Sequence, residues 1–191
     1  MTPVRGAAMA LVLVGAGLGL SRAAEPTDPL IAILSAIDVA PTPELLAAAG
    51  GPDAATRVRE LAAATDDLGL ANDVGVRVRA LRALAGDPSP EAHARLLEAL
   101  DAGAGTTLGS SVVVMGAAAE ALGDLGDPAD VPRLAALLEF EPSRDLRAIA
   151  ARALGAIGSP AAIDPLRERL LREPREQVRL AITEALRALE P

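Results

Sequence analysis

The octapeptide Ala121-Leu122-Gly123-Asp124-Leu125-Gly126-Asp127-Pro128 returns 32 residues later as Ala153-Leu154-Gly155-Ala156-Ile157-Gly158-Ser159-Pro160, and Ala185-Leu186 follow at the same step. Between these blocks Val131 recurs as Ile163, Leu134 as Leu166, Leu138 as Leu170, and Leu146-Arg147 as Val178-Arg179. A fixed period of this length means stacked units, each too small to bury its apolar face alone and each completed by its neighbours. The turn chemistry makes every unit a helical hairpin. Gly126 and Gly158 can take the left-handed conformation that ends a helix, and Asp127-Pro128 or Ser159-Pro160 then offers an N-cap and a first-turn proline to the next helix. Val76, Ala83-Leu84, Ser89-Pro90, Leu96 and Leu100 fit the same scheme with a step of 38, the extra residues lying mainly in Asp101 to Ser111. Leu134, Leu138, Leu166 and Leu170 are expected to be buried.

The composition agrees with helices. Alanine supplies more than a fifth of the 191 residues, lysine, cysteine, tryptophan and tyrosine are absent, and Phe140 is the only aromatic ring. Alanine, leucine and arginine favour helix, and the β-branched and aromatic residues that suit strands are scarce. Without cysteine there are no disulfides, thiolates or cysteine-based metal sites. The formal net charge of −8 repels phosphate backbones and anionic headgroups, so neither nucleic acid nor a membrane surface is an expected partner.

Residues 1–23 read as a signal peptide. Arg5 precedes an uncharged run from Gly6 to Leu20, and Ser21-Arg22-Ala23 places small residues where signal peptidase reads, so cleavage is expected after Ala23. The run is short and glycine-rich for a membrane span, which predicts no stable insertion after cleavage. Loss of Arg5 and Arg22 would leave the mature chain two units more acidic, in a periplasmic or secreted location. Residues 24–73 read as divergent N-terminal helices or a cap, with Asp28-Pro29 and Thr42-Pro43 as helix starts and Gly50-Gly51 as a stop. Residues 74–191 carry the repeats, closing on a helix from Arg175 to Leu189 that is expected to act as a cap.

The pattern V-R-x-x-A-x-x-A-L-G followed by G-D-P and a second helix with paired leucines resembles the HEAT-repeat family, and more closely its bacterial subgroup related to bilin lyases. The resemblance covers Val74 to Leu189 well. It implies an all-α, right-handed solenoid of stacked antiparallel helix pairs. It also implies a ladder between repeats in which an acidic residue precedes the arginine, here Glu141 before Arg147 and Glu173 before Arg179. The two earlier units depart from this, with Ala71 and Gly109 at the acidic position and Met115 at the second unit's arginine. In such stacks the second helices line the concave face, which would present Arg95, Glu98, Arg133, Arg167 and Glu168 to a protein partner.

The remaining candidates have plain structural readings. His93, the sole histidine, stands where Val131 and Ile163 stand in the other units. It reads as a half-buried structural residue that an apolar side chain could replace, because no Ser, Cys or second His stands directly beside it in sequence to suggest a triad or a metal site. Asp101 to Ser111 is glycine- and hydroxyl-rich but lacks the lysine and preceding strand of a phosphate loop, and reads as a loop ending in an N-cap serine. The run Arg167 to Glu173 pairs Glu168 with Arg172 and Arg169 with Glu173 at helical spacing, as on a solvated face with weak ion pairs. No catalytic, cofactor or metal residue is therefore expected. The expected function is an exported interaction or scaffold module. The alternative is an enzyme or enzyme subunit related to HEAT-repeat lyases, for whose pigment pocket one Phe, one His and no Tyr, Trp or Cys offer little material.

Overall fold

A computed structural model describes residues 28–36, 41–63, 74–102, 109–140 and 142–190. The expected signal peptide, the centre of the Asp101 to Ser111 insertion and Glu141 lie outside these residues.

The described residues form helices and no strands. The first helices of successive pairs are α4 (Val74–Ala83), α6 (Gly109–Leu125), α8 (Arg144–Ile157) and α10 (Glu176–Leu189), and each packs against the next. The second helices are α5 (Pro90–Ala102), α7 (Val131–Leu137) and α9 (Ile163–Arg172), which pack against α6, α8 and α10. This is the solenoid of antiparallel pairs that the period requires. Ahead of it, α1 (Pro29–Ser35) packs on α4 and α3 (Ala54–Ala63) on α4 and α5, with α2 (Pro43–Gly50) between them. The N-terminal helices thus sit against the first well-matched pair as another pair would.

The repeated block performs three local jobs. Gly126 and Gly158 end their helices at φ 73° and 72°, where a Cβ would be strained. Asp127 and Ser159 then accept from the backbone N–H groups of Ala129 and Ala161 at 2.9 and 3.4 Å. A single 3₁₀ turn, Pro128–Asp130 or Pro160–Ala162, leads into the second helix. Gly123 and Gly155 set how closely the first helices approach. A Cβ on Gly123 would lie 2.8 Å from the Cα of Ala153, and one on Gly155 would lie 2.9 Å from the Cβ of Ala185. One expectation fails here: Ser110 and Ser111 lie inside α6, so neither is its N-cap.

The core is leucine and alanine without large anchors. Leu81, Leu96, Leu122, Leu134, Leu138, Leu146, Leu154 and Leu166 are fully buried, while Leu170 and Phe140 are partly buried. Each buried leucine contributes roughly 1.5–3 kcal/mol by leaving water, and the many alanines between them let the helices interlock.

Charge also enters the core. Glu173 accepts from Arg147 through Nε at 2.8 Å and Nη2 at 3.0 Å, and from Arg169 through Nε at 3.0 Å and Nη2 at 2.7 Å. All three side chains are at most 3% exposed. Burial opposes ionisation of Glu173, but the hydrogen bonds from Arg147, Arg169 and the Arg175 backbone N–H outweigh it and hold the carboxyl at about 2. Glu139 extends the network to the solvent side by pairing with Arg169 and Arg172. The reading of Arg169 and Glu173 as a solvated pair is therefore wrong. They are buried together with Arg147 of α8, the first helix of the same pair, which donates to Glu173. Arg179 does not pair with Glu173's carboxylate; it donates to the backbone carbonyls of Leu170 and Glu173.

Candidate functional site

The second-helix face carries the residues the sequence singles out, and they pair off locally. On α5, Arg95 bonds Glu98 at 2.6 Å. Arg133 on α7 reaches back to Asp101 at the end of α5 and ties two repeats together at the surface. The hydrogen bond from Arg133, backed by its charge, lowers the Asp101 pKa, and that of Arg133 rises in return. Arg167 on α9 pairs with Glu190 at 2.9 Å. Glu168 is exposed, and its backbone carbonyl, not its carboxylate, accepts from Arg172. Four of the five residues sit in separate ion pairs along three helices, and the five do not converge on a pocket.

Between α5 and α7 lies an open groove of about 560 Å³, lined by Leu100, Met115, Leu137 and Phe140 with Asp101 and Arg133 at its edge. Leu137 and Met115 belong to the packed core, so the groove floor is rigid. Sequence reasoning named the rim arginine but missed the groove. Its floor comes from two consecutive repeats, and the one signal for it was the placement of the only aromatic ring at the end of α7.

His93 is half-buried, as its register predicts. Its neighbour was not predicted. Nε2 lies 3.0 and 2.9 Å from the two carboxylate oxygens of Asp130, a residue only 3% exposed. Asp130 stands where the neighbouring repeats carry Ala92 and Ala162, both buried. A leucine in place of His93 would strand this carboxylate in the interior, so the expectation of free apolar replacement does not hold. The signal was available, since an acidic residue in an alanine slot of a repeat breaks the pattern.

No helix among the described residues is long and apolar enough to cross a membrane. A family model described as HEAT repeats matches residues 68–151 and 108–187, two overlapping stretches that together span more than half of the chain. No curated protein matches it.

Proposed function

The chain belongs to the HEAT-repeat family, and from that premise we propose that it is an exported interaction or scaffold module that binds a protein partner on its second-helix face and performs no chemistry of its own. The groove between α5 and α7 carries the reading. It puts an apolar floor beside an exposed ion pair on a rigid stack, the combination of anchor pocket and polar rim by which protein partners are held. The flanking pairs Arg95–Glu98 and Arg167–Glu190 extend a charged border along the same face. Export rests on the positive start, apolar run and Ser21-Arg22-Ala23 cleavage signal of residues 1–23.

A photo-crosslinking side chain at Ala136, exposed on the groove wall, tests the binding face against the same group at Ala156, exposed on α8. In the native envelope fraction, the reading expects one discrete adduct from position 136 that weakens in an Arg133→Glu background and is missing from position 156. Equal labelling at both positions, or labelling indifferent to Arg133, would count against this face.

A further inference from the structure

The His93–Asp130 contact has more carboxylate than one ring nitrogen can satisfy. Both Asp130 oxygens face the single Nε2 atom. Among the described residues no other donor reaches that carboxylate, although its side chain is only 4% exposed. An ionised carboxylate offers about four acceptor positions, and a buried one left with a single shared N–H is costly. A second carboxylate stands beside it. Asp127, at the start of the same 3₁₀ turn, places an oxygen so that one ligand atom from each of His93, Asp127 and Asp130 lies within 4.8 Å of the others.

We propose that His93, Asp127 and Asp130 form a binding site for a divalent first-row transition-metal ion such as Zn²⁺ at the junction of two repeats. Imidazole nitrogen and carboxylate oxygen bind such ions at about 2.0–2.2 Å, so two ligands on one ion stand about 3.0 Å apart at a right angle and about 3.4 Å apart at a tetrahedral angle. The observed 2.9 and 3.0 Å match the first and need a shift of a few tenths of an ångström for the second. A neutral imidazole with two carboxylates balances a double positive charge and leaves further coordination positions for water or a partner's ligand. His93, with 30% of its side chain exposed, opens the site to solvent.

The repeat supplies an internal control. One period later the same three positions are Val131, Ser159 and Ala162. There the junction packs with Val131 4% and Ala162 0% exposed. The fold therefore does not require a histidine and a buried aspartate here, and the two departures that touch, His93 and Asp130, lie beside a capping aspartate, Asp127, that can also ligate. Asp127 keeps one oxygen on the Ala129 N–H at 2.9 Å, which holds its side chain in place while its second oxygen turns to the ion.

The test is a calorimetric titration of chelator-treated full-length chain with Zn²⁺ alone, in about 5 mM Mg²⁺ to occupy ordinary surface carboxylates. One Zn²⁺ per chain is expected, with affinity falling about tenfold or more in His93→Gln and in Asp127→Asn. Asparagine caps a helix as well as aspartate does, so Asp127→Asn keeps the fold, and its circular dichroism and Tm in chelator should match the wild type even if the histidine variant is unstable. Absence of stoichiometric binding by the wild type, or an Asp127→Asn affinity equal to the wild type's, would overturn the proposal.

Discussion

Glu173→Gln removes one charge from the most buried ionic cluster and keeps nearly all of the volume. Glu173 is the carboxylate that Arg147 and Arg169 share, and all three side chains are out of water. Two routes give the size of the loss. Breaking a buried pair by neutralising one partner costs roughly 3–5 kcal/mol, since the arginines stay buried without compensation. Independently, holding the carboxyl at about 2 instead of 4.5 corresponds to about 3 kcal/mol of stabilisation of the ionised form. Urea unfolding followed by helical circular dichroism at about pH 7 should therefore show Glu173→Gln less stable by about 3 kcal/mol. The sign of the pH dependence follows from the lowered pKa. The contribution is complete above 4.5 and is lost as pH falls toward about 2, whereas glutamine does not titrate. Because other acidic residues titrate over the same range, the measurement is the gap between wild type and variant, which should narrow as the pH is lowered for as long as the wild type stays folded. A loss below about 1 kcal/mol at neutral pH, or a gap that stays constant down to the acid limit, would refute the argument.

Leu166→Ala, at a fully buried position, should cost roughly 2–5 kcal/mol in the same unfolding assay; a change under about half a kcal/mol would put the side chain on the surface. Gly155→Ala should cost roughly 1–3 kcal/mol, because its methyl would meet backbone and Cβ of Ala185 at 2.9–3.0 Å; a neutral result would mean that the first helices are not held at that distance. His93→Leu alone should destabilise the metal-free protein by about 1–3 kcal/mol by stranding Asp130, and adding Asp130→Ala should recover most of the loss by copying the Val131 and Ala162 junction; equal loss in the single and double variants would show that the carboxylate is not the cause. N-terminal sequencing of the exported protein should begin at Ala24-Glu25-Pro26, and recovery of intact Met1 from a membrane fraction would argue for an anchor instead.

The period made most of the fold legible. Leu134, Leu138 and Leu166 are buried where it put them, and the turns at Gly126 and Gly158 have the left-handed backbone that their residues suggested. Contacts between helices were harder to read. Arg169 and Glu173 look like a helix-surface pair because spacing four apart says nothing of what lies above them, and the group that buries them, Arg147, is 26 residues from Glu173. His93 and Asp130 are 37 residues apart, so neither shows the other locally. The same period that placed the leucines would have exposed Asp130, had it been applied to polar residues as well as apolar ones.

Applied once more, the period explains why α10 differs from the first helices before it. Ala148 and Ala151 on α8 are fully buried, and Gly155 lets Ala185 approach. At the same register α10 carries Leu180, 55% exposed, half-buried Thr183 and exposed Arg187. Small residues permit close packing of one helix on the next, while a leucine, a threonine and an arginine in those slots hold a neighbour away and leave polar groups facing water. Arg187 in the glycine slot is the sharpest of the three changes, because Gly123 and Gly155 have no room even for a methyl group. A further helix could not approach α10 as closely as α10 approaches α8, so this face of α10 carries polar groups where α6 and α8 carry small residues.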